Sequence, residues 1–137
     1  AELGLTKADP GIAEIVDQIF SRRSQSGPFQ VLINIPTVLG GSSEDSLAWT
    51  LCDTPLILFA LMKFGYQEDE RVKQAAGYLK DLVRENGWPC AASPELGKFH
   101  GPGNKNDLCP YANLIMLKAL AQDDALRDSD ACKMGAE

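Results

Sequence analysis

Two stretches of this chain are apolar around a whole helical circumference, and such helices need cover on every side. The first is DTPLILFALMKFG at residues 53–65, which has a capping Asp or Thr, a Pro at its start and a Gly at its end. The second is LCPYANLIMLKALAQ at residues 108–122. Pro suits a first helical turn and Gly suits a C-terminal cap. Both stretches are therefore predicted to be helices buried on all faces.

An amphipathic helix is predicted before each of these stretches. Asp9-Pro10 marks a helix start, and apolar residues then recur at helical spacing until SQSG ends the pattern. Asp69 caps the second helix, and Asn86-Gly87 closes it. Aligning Gly27 with Gly87 superimposes the two apolar patterns at an offset of sixty residues. The turns that follow the two amphipathic helices, SGPFQ at 26–30 and NGWPC at 86–90, are thus predicted to be structurally equivalent, and we call them the glycine corners.

This order of helices predicts a repeat of about 55–60 residues, with units at roughly 9–65, 66–122 and a truncated 123–137. One buried and one half-exposed helix per unit is typical of concentric helical layers. We therefore predict an all-α fold, a partial α/α toroid with long loops. The chain would be a single domain or a fragment of a larger toroid. The alternatives are a five-helix bundle and, for FQVLINI at 29–35, a short strand.

Net charge, apolar runs and cysteine spacing argue against several classes of function. The net charge of −6 over 137 residues argues against a general binder of nucleic acid or of anionic membranes. The longest apolar run, 56–62, is too short for a membrane span, and the N-terminal residues lack a signal-peptide pattern, so we expect a cytoplasmic protein. The four cysteines form no CxxC pair, and free thiols are favoured over disulfides.

The pattern resembles the α/α toroid of the terpenoid cyclases and protein prenyltransferases. The residues that carry this resemblance are YLKDLVRENGWPC (78–90), WTLCDTP (49–55) and DLCPYANL (107–114). Longer stretches, including GPFQVLINIP (27–36) and NGWPCAASPELGKFHGPG (86–103), are similar to bacterial members of this superfamily with no established activity. Those proteins are longer, so the resemblance implies that this chain is an internal piece.

The resemblance also implies a zinc site at NKNDLCPY (104–111). Prenyltransferase β-subunits carry Asp-x-Cys-Tyr at the start of an inner helix, and a later His completes the zinc ligands. Asp107 and Cys109 match the Asp-x-Cys, whereas Pro110 interrupts the motif, and a later His, if a longer parent protein has one, lies outside this chain. Zinc would deliver a thiolate nucleophile. The structural alternative is that Asp107 caps the helix and Cys109 is a small buried side chain.

Asp53 in CDT (52–54) resembles the acidic motif of squalene-type cyclases, with the residue order changed. The resemblance implies a catalytic acid, which must stay protonated in an apolar cavity. No Asp-x-Asp-Asp run supports this role, and Asp53 is also a natural helix cap. His100 has no obvious partner and is interpreted as a loop residue. The aromatic residues either line a cavity for an isoprenoid or form ordinary core: Trp49, Phe59, Phe64, Tyr78, Trp88 and Tyr111.

Three functional hypotheses follow. In the first, the parent protein handles an isoprenoid or other apolar molecule in a central cavity, as a cyclase-like or prenyltransferase-like enzyme. In the second, the chain is a non-catalytic helical-repeat module that binds a protein or a small ligand. In the third, the isolated chain is inactive and self-associates through exposed inner helices or unfolds without cooperativity.

Overall fold

The computed structural model describes residues 4–99 and 107–136. Within these ranges the α-helices are α1 (Ile12–Ser21), α2 (Thr54–Lys63), α3 (Glu70–Lys80), α4 (Pro110–Leu120), α5 (Asp124–Arg127) and α6 (Asp130–Ala136). The strands are β1 (Val31–Asn34) and β2 (Asp45–Ala48), and short 3-10 helices span Thr37–Leu39 and Pro94–Leu96. None of the helices in these ranges is both long enough and apolar enough to cross a membrane.

The prediction of an all-α fold, a partial α/α toroid, is wrong. Among the described residues, 47% are helical and 13% lie in strands or isolated bridges, and an antiparallel hairpin pairs Val31 with Ala48 and Asn34 with Asp45. The short strand considered within 29–35 is present as β1. Its partner β2 is only four residues long, too short to show a clear alternating pattern. Pairing satisfies backbone groups that would otherwise lie unpaired in the long connection from α1 to α2.

The core is built around α2 and α4, which pack side by side. α3 packs against both of them, and α6 packs against α4. One buried cluster extends from Ile12 in α1 to Cys132 in α6. Its largest fully buried members include Phe29, Leu51, Leu58, Leu61, Leu79, Trp88 and Met116. Each such side chain contributes about 1.5–3 kcal/mol when removed from water, so the helices stabilise one another through a shared interior.

The helix ends differ partly from the predicted ones. Asp69 is a cap as predicted, because its carboxylate accepts the Arg71 N–H at 2.9 Å. Asp9 instead accepts the Thr6 N–H at 2.7 Å, so α1 begins later, at Ile12. α3 ends at Lys80 because a turn follows, in which Arg84 and Gly87 exchange backbone hydrogen bonds of 3.0 and 2.9 Å.

The two glycine corners are built alike. Gly27 and Gly87 are both buried and have φ angles of 119° and 102°. At the first corner the Thr54 hydroxyl donates to the Phe29 carbonyl at 3.2 Å. At the second, the Asn113 amide donates to the Trp88 carbonyl at 2.9 Å. In each case the donor lies in the first turn of a central helix. The division of the chain into repeat units stays a prediction.

The prediction that α2 and α4 are buried on all faces is wrong for one stripe of each helix. Leu56 of α2 is 37% exposed and Leu114 of α4 is 63% exposed. An apolar sequence pattern shows which faces of a helix can be buried, but it does not show which of those faces pack against another element. The uncovered stripes leave apolar side chains of both central helices on the surface.

Candidate functional site

Three extended segments meet at one end of α2 and α4. Residues 88–93 run between residues 49–51 and residues 108–109. Leu51 donates its N–H to the Ala91 carbonyl at 2.9 Å, and Cys109 donates to the Trp88 carbonyl at 3.0 Å. The outer segments lead directly into α2 and α4. Both helices therefore begin at the same end of the molecule and run in the same direction.

This junction gathers three of the four cysteines into a three-thiol cluster, formed by Cys52, Cys90 and Cys109. Cys52 follows the first segment, Cys90 lies in the central one, and Cys109 is the N-cap residue of α4. A hydrogen bond joins the Cys52 and Cys90 thiols, and Cys109 is close enough to influence the charge on Cys52. All four cysteines are free thiols, and these three are half-buried.

The three-thiol cluster holds Cys52 in its protonated form. Burial, followed by the neighbouring Cys90, raises the pKa of Cys52 to about 12. Because the thiolate is the reactive form, Cys52 is a poor nucleophile at neutral pH. Cys109 differs from Cys52 in its hydrogen-bond partner, because its sulfur accepts the Ala112 N–H at 3.5 Å in the first turn of α4.

Asn113 fixes the central segment against α4. Its Oδ1 accepts the Trp88 N–H at 3.0 Å, and its Nδ2 donates to the carbonyls of Trp88 and Cys109, both at 2.9 Å. The Trp88 indole N–H donates to the Leu79 carbonyl of α3 at 3.0 Å. Asn113 and Trp88 are both buried, so these bonds are shielded from water. Sequence reasoning missed Asn113, whose only signal is a polar residue in an apolar helix.

The predicted zinc residues lie on the segment that enters α4. Asp107 is exposed, and Cys109 rather than Asp107 occupies the N-cap position. Residues 100–106, including His100, lie outside the described part of the chain. Among the residues that are described, no three His, Cys, Asp or Glu side chains are placed to hold a metal ion together. The assignment of Asp107 and Cys109 as zinc ligands therefore stays a prediction.

Asp53 lies at the N-cap position of α2 but makes no capping bond with its side chain. Its carboxylate accepts the Thr50 hydroxyl at 2.9 Å and is exposed. A carboxylic acid that protonates an alkene needs burial in an apolar cavity to keep its proton. The structure lacks that burial at Asp53, so its catalytic role stays a prediction without the environment that it requires.

The second component of the site is an open helix face on the exposed stripes of α2 and α4. Its exposed residues are Leu56 and Lys63 of α2, and Tyr111, Leu114 and Lys118 of α4, and the buried ring of Phe59 lies beneath them. The Lys118 Nζ lies 4.5 Å from the centre of the Phe59 ring, and the Lys63 Nζ lies 5.8 Å from it. The Phe59 ring thus lies near two lysine ammonium groups, one from each of the neighbouring helices. The three-thiol cluster lies at the N-terminal ends of the same helices, whereas the two lysines lie near their C-terminal ends.

The predicted aromatic residues do not line one cavity. Trp88 is fully buried, and Tyr111 is 51% exposed. Trp49 and Tyr78 contact each other edge to face, with ring centres 5.6 Å apart. They border a separate polar groove of about 600 Å³, together with residues 23–26, Gln30, Pro94 and Glu95. The aromatic residues are therefore divided between the core, this groove and the open helix face.

In comparisons with known proteins, no family model, no curated protein and no solved structure matches this chain. The resemblance to the terpenoid cyclase and prenyltransferase superfamily therefore stays a prediction.

Proposed function

We propose that the chain is a binding protein for an apolar small molecule with an anionic end, and that the open helix face contacts this ligand. The class includes isoprenoid diphosphates and fatty acids. The observation that carries the proposal is the pair of lysines, Lys63 and Lys118, beside the Phe59 ring and next to exposed leucines.

The apolar part of the face supports binding of a hydrocarbon chain. Leu114 is 63% exposed, Tyr111 is 51% exposed and Leu56 is 37% exposed. They lie on two adjacent parallel helices, so an extended chain can contact both at once. Removing apolar surface from water contributes about 25 cal/mol per Å², and exposed patches with a polar rim commonly mark binding surfaces.

The charge of the face supports an anionic end group. The whole protein carries a net charge of −6, yet two lysine ammonium groups lie 4.5 and 5.8 Å from the centre of one ring on this face. A phosphate or carboxylate beside both ammonium groups gains two charge-assisted interactions. The aromatic ring keeps the lysines close to the apolar stripe. The proposal assigns binding only, and no residue of the face is given a catalytic role.

The test is calorimetric titration of the full chain with farnesyl diphosphate, with farnesol and inorganic diphosphate as probes of the two halves. Farnesyl diphosphate is expected to bind at least about tenfold more tightly than either half, because each half contributes more than roughly 1.4 kcal/mol. Leu114→Asp is expected to weaken binding by about tenfold or more, since it places a negative charge among the apolar contacts. Lys63→Gln is expected to weaken the binding of farnesyl diphosphate but not the binding of farnesol, because only the diphosphate has an anionic group.

The matched control is Leu32→Asp, because Leu32 in β1 is also exposed, at 59%, but lies outside the open helix face. It is expected to bind like the wild type. The proposal would be refuted if the wild type and Leu114→Asp bound farnesyl diphosphate equally well. It would also be refuted if neither farnesyl diphosphate nor the fatty acid palmitate gave any heat of binding. If the wild type is a dimer and Leu114→Asp a monomer, a second copy covers the face and the ligand proposal fails.

A non-catalytic interaction module is the second candidate, and the hairpin favours it. Leu32 and Leu47 are paired across the strands, and they are 59% and 44% exposed. Val38, 89% exposed, follows β1 in the same connection. This candidate commits to a second copy of the chain as the occupant. Sedimentation velocity distinguishes it: a dimer that Leu47→Asp dissociates supports pairing through the hairpin, and a monomeric wild type excludes it.

A further inference from the structure

We propose that Cys52 and Cys90 are an oxidation site, at which a low-molecular-weight disulfide such as oxidised glutathione converts the two thiols into an intramolecular disulfide. The proposal concerns the pairing of these two residues within the three-thiol cluster. It does not depend on the ligand proposed for the open helix face.

The backbone register carries the inference. Thr50 and Ala92 form an antiparallel bridge, and hydrogen bonds join Leu51 to Ala91 and Ser93 to Trp49 at 2.9 Å each. Cys52 follows Leu51 and Cys90 precedes Ala91, so the two cysteines are the immediate neighbours of this hydrogen-bonded pair. Both segments turn there, because Thr54 donates its N–H to the Thr50 carbonyl at 3.0 Å and Ala91 donates to the Pro89 carbonyl at 2.9 Å.

The contact between the two side chains suits a disulfide. A disulfide needs its two Cα atoms roughly 4.4–6.8 Å apart. The backbone hydrogen bond from Leu51 to Ala91 holds the adjacent cysteines on neighbouring segments, and a hydrogen bond already joins the two thiols.

Cys109 lies beside a different residue of the central segment. Leu108 pairs with Pro89, and the Cys109 N–H donates to the Trp88 carbonyl, so Cys109 lies beside Trp88. Its sulfur also accepts the Ala112 N–H at 3.5 Å, which holds it at the start of α4. The geometry therefore selects Cys90 as the partner of Cys52.

The reaction balances as two exchange steps. A thiolate of the pair attacks the small disulfide, forms a mixed disulfide and releases one small thiolate, which takes up the proton that the pair has lost. The second thiol then loses its proton to solvent and attacks the mixed disulfide. The products are the protein disulfide and two small thiols, so two electrons pass from the protein to the reagent.

The pH dependence of the exchange provides a second readout. The groups that face Cys52 are Cys90, Cys109 and Asp53, and burial is the main cause of its raised pKa. Any step that uses the Cys52 thiolate accelerates by about tenfold per pH unit below that pKa. Exchange is therefore expected to be slow near neutral pH and faster under alkaline conditions.

The experiment treats the full chain with oxidised glutathione at about pH 7.5 and about pH 9. Free thiols are then titrated after denaturation, and peptides are mapped by mass spectrometry without reduction. The expected result is the loss of two of the four thiols and a linked peptide pair containing Cys52 and Cys90. The link is expected to raise Tm by on the order of 10 °C, because it closes the loop from residue 52 to residue 90.

Variants establish the pairing. Cys90→Ser and Cys52→Ala are expected to abolish the linked peptide and the rise in Tm, and agreement between them guards against a folding defect in either one. Cys109→Ser and Cys132→Ser are the matched controls and should retain both. A link that contains Cys109, or four free thiols in folded wild type after treatment at the higher pH, would overturn the proposal.

Discussion

Among individual residues, Asn113 has the largest structural role relative to its weak sequence signal. Its side chain makes three hydrogen bonds to the backbone of residues 88 and 109, and it is 6% exposed. The central segment of the junction therefore depends on one amide. The position of Cys90 follows, because Cys90 comes two residues after Trp88.

We predict that Asn113→Leu lowers the free energy of unfolding by about 2–4 kcal/mol, because it leaves the buried Trp88 N–H without a partner and removes one of the two hydrogen bonds at each of the Trp88 and Cys109 carbonyls. Urea unfolding followed by tryptophan fluorescence measures the change. Asn34→Ala is the matched control, since the Asn34 amide bonds are exposed. It should alter stability by less than about 1 kcal/mol. Equal effects of the two substitutions would contradict this role for Asn113.

Asp69 shows how one carboxylate serves two functions at a helix start. It caps α3 through the Arg71 N–H, and it binds the Arg71 guanidinium through both oxygens, at 2.9 and 2.7 Å. Arg71 in turn stacks on Phe20, 3.5 Å from the ring centre. The hydrogen bond from the Arg71 side chain is the main cause that lowers the pKa of Asp69 to about 2. The charged form is thus favoured in the folded state.

Because the folded-state pKa of Asp69 lies below the unfolded value, its charge stabilises the fold above the unfolded pKa. This contribution is lost as pH falls from about 4 to about 2. We predict that Asp69→Asn, which still caps, costs roughly 0.5–1 kcal/mol at neutral pH after solvent screening, and that the difference disappears near pH 2. Urea unfolding across this pH range measures it. Glu68→Gln, whose partner is Lys73, is the control. A difference that does not change with pH would contradict the prediction.

At the scale of elements, the corner at Gly87 connects the turn that follows α3 to the central segment of the junction. Gly87 has a φ angle of 102°, and a Cβ there would collide with the Asn113 amide oxygen. By contrast, Gly77 lies inside α3, where an added Cβ would meet nothing within 4 Å. The two glycines have opposite structural requirements although they are ten residues apart.

We predict that Gly87→Ala destabilises the protein by more than about 2 kcal/mol, because it combines a strained φ angle with the loss of space for Asn113. Gly77→Ala should instead stabilise it by about 0.5–1 kcal/mol, because alanine loses less entropy in a helix. Thermal and urea unfolding of both variants provide the comparison. A stabilised Gly87→Ala variant would show that the corner tolerates a side chain and that the fixed position of Asn113 is unimportant.

At the scale of the whole molecule, one buried cluster extends from α1 to α6 and includes both central helices. Trp88 is at its centre, because it contacts α3 through the Leu79 carbonyl and α4 through Asn113. α6 packs so closely on the Trp88 ring that a Cβ at Gly135 would overlap it. The helices and the junction therefore have no separate interiors.

We predict a single cooperative unfolding transition, because loss of any central helix exposes the shared core. Tryptophan fluorescence and circular dichroism should give the same urea midpoint, with an m-value of about 1–3 kcal/mol per molar urea. Different midpoints for the two signals would show that part of the chain unfolds independently. That result would support the hypothesis of non-cooperative unfolding.

The sequence alone determined the local features whose causes are local. The apolar patterns and end signals of 53–65 and 108–122 predicted α2 and α4, Asp69 predicted a cap, and the glycine corners were recognised as equivalent turns. These depend on residue type and on neighbours within a few positions. The same reasoning predicted an all-α fold, because a strand as short as β2 has no period to detect.

Only the tertiary structure decided which distant groups meet. Cys52, Cys90 and Cys109 share no metal-binding or redox spacing, and they cluster because residues 88–93 lie between the segments that enter α2 and α4. The exposed stripe of each central helix likewise depends on which neighbours pack beside it. Sequence periodicity records the preference of a helix for burial, whereas contacts between segments that are distant in sequence depend on how the whole chain packs.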